Sequence, residues 1–371
     1  MLKGIPELSY ILIFLIILFL VLLLFSPITG SPVTERDFTG FSPGARSLAM
    51  GNVGIALPGD PFVSFYNPAA VCFIKNNYLL FDFLDMRRNS LENHSLPEFA
   101  GIAIDFISIV NPSGGLTWHP LASMRVEEIT TLFSDELQET LSVESKIEYR
   151  TDEFYLTLTT LSSEMLGSLA GVPLFGINIK YYKANLAVSE VKKSKTTPVD
   201  ASSNIDTGNG FGIDLGFAYV KGPFLFGFAV KDIFSKVYWT DYESDRIHTK
   251  IGAGFSTFFL ERWILSTDLR YDSGLKKTGL YTGVESRFFE KKKEKKKLNI
   301  GQSKEDHKPL GGGFLRFGAR LDDLKIKEDV VYSLGFGYSL SRFCVDIAFF
   351  GDRELIKEKS ISSQVSILVI Y

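Results

Sequence analysis

Charged side chains set on the small face of otherwise apolar alternating segments are the chemistry this sequence offers. Asp214 shares a face with Gly210, Gly212, Gly216 and Ala218, opposite Phe211, Ile213, Leu215, Phe217 and Tyr219. Asp268 and Arg270 fall with Ser266 and Asp272, Arg316 and Arg320 with Gly318, and Asp346 with Cys344 and Ala348; Glu285 and Arg287 follow the same alternation. Carboxylates and guanidiniums are equally represented in this set, so two outcomes stand open. They neutralise one another across a closed interior, or Arg316 and Arg320, four residues apart on one face, attract an anionic headgroup.

No catalytic constellation accompanies them. His94, His119, His248 and His307 lie in separate segments with no metal-ligand spacing, no GxSxG occurs, and neither Cys72 nor Cys344 has a neighbouring His. Gly311-Gly312-Gly313 lacks the helix that a phosphate cradle requires. The expectation is a protein that is not an enzyme and needs neither metal nor cofactor. Two cysteines in distant segments do not make a disulfide framework; each reads as a small buried apolar residue.

The elements that must carry these charges are strands. The segments near 77–84, 96–109, 115–125, 144–161, 175–188, 209–221, 223–232, 248–259, 263–272, 278–289, 312–321, 329–340, 343–350 and 360–371 alternate bulky apolar with small or polar residues. Fourteen such strands predict an all-β, transmembrane, antiparallel outer-membrane barrel, since a membrane-crossing strand takes about 9 to 11 residues and closure leaves no backbone group unpaired. Soluble sandwiches alternate too. Connection lengths add a second test: 85–95, 126–143, 189–208, 233–247 and 351–359 read as long charged external loops. Asn111–Gly114, Lys221–Pro223, Leu260–Arg262 and Ser341–Arg342 read as short turns, while 162–174 and 290–311 are too long for the turns expected there.

Composition agrees with a barrel: 32 Phe and 32 Gly in 371 residues, 45% hydrophobic yet 22% charged, so apolar content is spread by alternation rather than gathered into long runs. A net charge of −3 gives no reason to expect a nucleic-acid partner. Residues 1–30 read as a signal peptide: Lys3, then the apolar run Ile11–Phe25, then Pro27 and the small residues Thr29, Gly30 and Ser31, with cleavage after Gly30. An uncleaved helical anchor is the alternative for this run. The basic run Glu290–Lys297, EKKKEKKK, reads as a solvated insertion, the alternative being contact with anionic headgroups or an acidic partner. The terminal SQVSILVIY ends on Tyr371 in an alternating strand.

Between signal and strands lies Phe41–Ala70, rich in small residues and glycine, poor in charge and without a sustained period. A segment this apolar must be packed inside something, which divides the chain into an N-terminal plug, 31–76, and a barrel, 77–371. The run Gly44-Ala45-Arg46-Ser47-Leu48-Ala49-Met50-Gly51-Asn52, followed by Asp60 and by Phe65-Tyr66-Asn67-Pro68-Ala69-Ala70, resembles the opening of the FadL-like superfamily of outer-membrane transporters, and within it the PorV-type branch. The resemblance implies a plug motif at Gly44, Arg46, Met50, Gly51, Asn67, Pro68 and Ala69, with Arg46 paired to a luminal carboxylate. It implies a place in the cell outer membrane among its lipids, and binding or transport of small hydrophobic molecules such as long-chain fatty acids, while the terminal strand closing on Tyr371 resembles the signal by which such barrels are delivered to the barrel assembly machinery. A PorV-like secretion component that binds exported proteins is the alternative, and a sealed structural barrel a third.

Overall fold

The computed structural model describes residues 42–85, 98–99, 102–134, 139–160, 171–194, 197–260, 262–288, 312–326, 330–340, 342–351 and 361–371. The signal peptide, the basic run 290–297 and the loop 351–359 beyond Gly351 lie outside these residues, as do His94 and His307.

Its strands are β1 (Tyr78–Asp85), β2 (Glu98–Phe99), β3 (Ile102–Asn111), β4 (Gly114–Ser134), β5 (Glu139–Thr159), β6 (Leu174–Ser194), β7 (Thr197–Lys221) and β8 (Phe224–Trp239). They continue as β9 (Asp245–Arg246), β10 (Lys250–Phe259), β11 (Trp263–Asp272), β12 (Lys277–Phe288), β13 (Gly312–Leu321), β14 (Val330–Leu340), β15 (Phe343–Gly351) and β16 (Ser362–Ile370). Apart from the two-residue strands β2 and β9, each pairs antiparallel with its sequence neighbours. The first strand meets the last, Tyr78 opposite Ile370 through Leu84 opposite Gln364, while its other edge pairs with β3. The result is a closed barrel of fourteen strands.

Closure with a period of two sorts the side chains by solvent. In β11 the buried set is Ile264, Ser266, Asp268, Arg270 and Asp272, and the outward set includes Leu265, Leu269 and Tyr271. In β7, Asp214 and Gly212 face in while Phe211, Ile213 and Leu215 are exposed. Outward apolar side chains of this kind ring the barrel, from Leu116 and Phe154 through Phe226 and Leu280 to Phe336 and Val345. An exposed apolar belt on a ladder with no open edge is what a hydrocarbon surrounding demands.

The segments read as external loops 126–143 and 189–208 are instead largely strand. The β4–β5 ladder runs to Ser134 opposite Glu139, and the β6–β7 ladder to Ser194 opposite Thr197. Most of 233–247 is strand as well, since β8 extends to Trp239 and pairs with β9. Their polar alternation hid them: these extensions stand above the wall, where both faces of the sheet meet water, so no clean apolar period is required. At about 3.3 Å per residue, 21-residue strands reach roughly 70 Å, about twice what a membrane span uses. The pairing of β4 with β3 stops at Trp118, and a bulge at Pro120, which has no amide hydrogen to give, marks where β4 departs. The upper halves of β4 to β7 thus form a four-stranded wing on one side of the rim, whereas β11 and β12 are joined by residues 273–276 alone.

Candidate functional site

The barrel interior is filled by residues 42–74. Their short helices Ala45–Ala49 and Val63–Tyr66 and the 3-10 helix Pro68–Phe73 are buried throughout, and Phe62, Phe65, Tyr66, Val71 and Phe73 pack into one cluster with wall residues Phe106, Tyr155 and Leu225. Helices of four to six residues do not hold themselves together; the wall holds them, by three polar anchors and by close backbone contact.

At the first anchor Arg46 lays its guanidinium against Glu285, Nε to Oε2 at 2.8 Å and Nη2 to Oε1 at 3.0 Å, and donates to the carbonyl of Pro58 at 3.2 Å. Glu285 Oε2 also accepts from Arg316 Nε at 2.7 Å, and Arg316 Nη1 reaches Asp346 Oδ1 at 2.6 Å. Two guanidiniums and two carboxylates from the segment, β12, β13 and β15 therefore compensate one another. Beside them Asp60 accepts from Ser47 Oγ at 2.8 Å and from its own helix-entry amide, Phe62 N, at 3.1 Å. Burial raises the Asp60 carboxyl above its ordinary range, with Arg46 and Ser47 opposing. Burial also works against charge on Arg46, but Glu285 and Asp60 outweigh it and hold the guanidinium protonated.

The second anchor is Asp268, whose Oδ2 accepts from the amides of Gly54 at 2.7 Å and Ile55 at 3.1 Å, and from Arg270 Nη2 at 2.7 Å. Arg270 also donates to the Asn52 carbonyl and lies over the rings of Tyr281 and Tyr66, 4.2 and 5.1 Å from their centroids. Tyr66 completes the turn by donating to Pro43 O at 2.9 Å.

The third anchor is Asn67. Its amide donates to Ile55 O and to Phe217 O of β7, both at 2.9 Å, and its oxygen caps the 3-10 helix through Ala69 N at 3.1 Å. Pro68 follows at the first helical position, where a missing amide hydrogen costs nothing.

Wall glycines bring strand backbone against segment backbone. A Cβ on Gly318 would stand 1.9 Å from Gly51 N, on Gly283 2.1 Å from Met50 O, and on Gly176 2.4 Å from Ala69 N. Gly51 itself has φ +71 and sits against Thr282 O and Ala319 O, so two reasons require glycine there. Gly44 is the buried helix entry at φ 96, and Met50 lies in a cluster with Val53, Leu57, Ile264 and Tyr281. The closing seam is joined to the segment as well: Asp82 of β1 accepts from Gly44 N at 3.0 Å and from Gln364 and Ser366 of β16, while Ser366 Oγ accepts from Ala45 N at 2.7 Å.

A layer of paired charge lies next, toward the wing. Lys180 Nζ is 2.7 Å from Asp232, 2.9 Å from Asp214 and 3.2 Å from Glu153. Asn178 bridges Asp214 at 2.9 Å to the carbonyl of Ser64 at 3.0 Å. Lys231 donates to Phe65 O at 2.7 Å with its ammonium 3.4 Å from the Phe65 ring centroid. Asp232 reaches this layer because β8 bulges twice against β7, with Asp232 and Phe234 at φ 59 and 55; a left-handed Phe is a strained position that the surrounding contacts impose. Beyond the charges comes an apolar layer, Leu121, Tyr182, Ala184, Val237 and Ile247 with Trp239. It continues onto the inward face of the wing, where Tyr149 meets Trp239 at 5.9 Å between centroids.

Of the residues singled out by sequence, Asp214, Asp268, Arg270, Glu285, Arg316, Arg320 and Asp346 are buried on the inner face. Arg287 is half-buried over the Phe314 ring, and Arg320 pairs with Asp322 at 3.4 Å, outside the Glu285 network. Lys180, Glu153, Asp232, Lys231, Asn178 and Asp82 were missed. The run Gly176, Asn178, Lys180, Tyr182 has the same small-and-polar alternation as β7 and could have revealed Asn178 and Lys180. Among the described residues no cluster of His, Cys, Asp and Glu is arranged to hold a metal ion. His119 Nδ1 lies 3.0 Å from Asp105 O and packs on Phe65. Both cysteines are free thiols, and burial pushes the Cys72 thiol up to about 12.

A closed antiparallel barrel, apolar outside and lined with paired charges that grip its own N-terminal segment, is the class this architecture defines. Residues 133–284 match the family described as "F plasmid transfer operon, TraF, protein". No curated protein sequence matches the chain. Solved structures with which it aligns include the Pseudomonas putida toluene transporter TodX, at 10% identity and TM-score 0.47 over 90% of this chain and 99% of that one. Others are the Ralstonia pickettii toluene transporter TbuX, at 11% and 0.46 over 90% and 97%, and a Pseudomonas aeruginosa FadL homologue, at 12% and 0.43 over 92% and 98%.

Proposed function

We propose that this chain is an outer-membrane barrel that binds or transports small hydrophobic molecules, with residues 42–74 acting as its plug. The observation that carries the reading is the apolar layer at the tall rim, Leu121, Tyr182, Ala184, Val237 and Ile247 with Trp239, set inside a wall whose outer belt is itself apolar. Such a barrel offers hydrophobic surface on both sides of one ladder, and an apolar solute gains by moving from water to either. The FadL-like opening motif supports the same conclusion.

Mass spectrometry of lipids and proteins retained when the full-length protein is extracted gently from its native outer membrane tests this. A stoichiometric hydrophobic small molecule is expected, and it should fall in Asn67→Ala, which removes two donated bonds and one cap from the plug. The same substitution should cost about 2–3 kcal/mol of barrel stability, because Ile55 O and Phe217 O each lose a donated bond and the 3-10 helix loses its cap. Recovery from the inner membrane would overturn the reading. A secretion component holding exported proteins is the second reading, favoured by the wing, whose strands β4 to β7 extend well past the level at which β3 pairs with β4 and so offer sheet surface above the barrel to a protein partner. A co-purifying exported protein with no small molecule would select it.

A further inference from the structure

We infer that the hydrophobic molecule this barrel takes is uncharged, and that it is received on the inward face of the wing, between the Tyr149–Trp239 pair and the side chains of Ile147, Leu186 and Val188. The inference rests on the small-molecule reading above and narrows its ligand class.

The face follows from the ladder. Ile147 stands opposite Val188, and Tyr149 opposite Leu186, in adjacent strands β5 and β6. Along β5 these positions alternate in phase with the buried Thr151, Glu153 and Tyr155, so they point to the same side as the barrel interior. All four are half-buried, so a ligand can reach them. Below them, past the buried Thr151, the apolar layer continues to Tyr182 and Val237.

Charge decides the class. A carboxylate-headed amphiphile leaving water needs a cation to receive its head, or it carries the full desolvation cost. Among the described residues each deeply buried cation already has its counter-group. Lys180 is shared by Glu153, Asp214 and Asp232, and Lys250 acts electrostatically on the same Asp232. Lys231 is taken by Phe65 O and the Phe65 ring. Arg46 and Arg316 are taken by Glu285 and Asp346, Arg270 by Asp268, and Arg320 by Asp322. On the wing's own inward face Lys192 stands between Glu190 at 3.4 Å and Asp200 at 3.6 Å. The layer directly under the apolar site sets three ammoniums against three carboxylates, Lys180, Lys231 and Lys250 against Glu153, Asp214 and Asp232. An arriving carboxylate would have to displace one of these and leave a buried anion behind. On the same face Asp206 stands opposite Leu186 and Asn204 opposite Val188, so a second carboxylate would also meet the buried Asp206, whereas an uncharged molecule of equal length meets apolar side chains and two aromatic rings with no charge of its own to bury.

The experiment uses the full barrel in detergent with Trp118 and Trp263 replaced by Phe, so that Trp239 is the sole indole of the three. It is titrated with 1-decanol and with decanoate at pH 8. Decanol is expected to shift the Trp239 emission and to bind at least tenfold more tightly than decanoate. The double variant Ile147→Asn, Val188→Asn should weaken decanol at least tenfold while the barrel remains heat-modifiable on gels. Decanoate binding as tightly as decanol would overturn the uncharged class, and unchanged decanol binding in the double variant would overturn the location. Failure of both probes to bind the parent barrel would instead bring down the small-molecule reading itself.

Discussion

Replacing Lys180 by Met is expected to be among the most damaging single substitutions in this chain. One ammonium lies within 3.2 Å of Glu153, Asp214 and Asp232, all nearly inaccessible to water. Methionine fills the space but leaves three carboxylates facing one another. Breaking a buried ion pair from one side costs about 3–5 kcal/mol, and here three carboxylates lose their shared cation at once, with Lys231 and Lys250 left nearby to offset them. The temperature at which the barrel loses its folded mobility on gels should fall sharply, or folded protein should not accumulate. Partial rescue is the decisive control. The double variant Lys180→Met, Asp232→Asn removes one of the three negative charges and should recover a measurable part of the loss, because the cost belongs to uncompensated charge rather than to lost packing. A single variant as stable as the parent would show that water reaches these groups.

Gly318→Ala is expected to rival it by a different route. The added Cβ would stand 1.9 Å from Gly51 N and 2.2 Å from Met50 C, both backbone atoms. A side chain in the way can rotate, but this backbone is tied to the same stretch of wall by Ser333, which stands opposite Gly318 in β14, accepts from Gly51 N at 2.9 Å and donates to Ala49 O at 3.1 Å. Overpacking costs about 1–3 kcal/mol where side chains can yield, and more is expected here. Gly312→Ala is the matched control six residues earlier on the same strand, since nothing lies within 4 Å of its added Cβ; it should be neutral. Equal effects from the two would mean that strand propensity, not contact with the segment, sets the cost.

The wall was legible because one physical rule, alternation between two solvents, is written directly into residue order. The runs Gly210–Val220 and Val330–Leu340 show it, and β7 and β14 contain them. The same rule gave out where both solvents are water, which is why the upper halves of β4 to β7 read as loops. Inner-face charges were legible by parity, yet which charge meets which was not. Glu285 opposes Arg316 across neighbouring strands, but its other partner, Arg46, is 239 residues away in a segment with no period to place it. Asp232 was lost for a related reason: a bulge in β8 turns it inward, and no feature of Val230-Lys231-Asp232-Ile233 announces the left-handed backbone that does so.

The bonds at the closing seam separate residues by almost the whole chain. Ala45 meets Ser366 across 321 positions, and Gly44 reaches β1 at the very place where β16 contributes Gln364 and Ser366 to the same carboxylate. Contacts this distant are the last a folding chain can make, since each must wait for everything between to be laid down. Gly44 and Ala45 are therefore among the last residues to be fixed, and they become fixed when the ends of the wall meet. Folding of this barrel has a natural finish line, and there is no intermediate number of strands at which Asp82 would be satisfied.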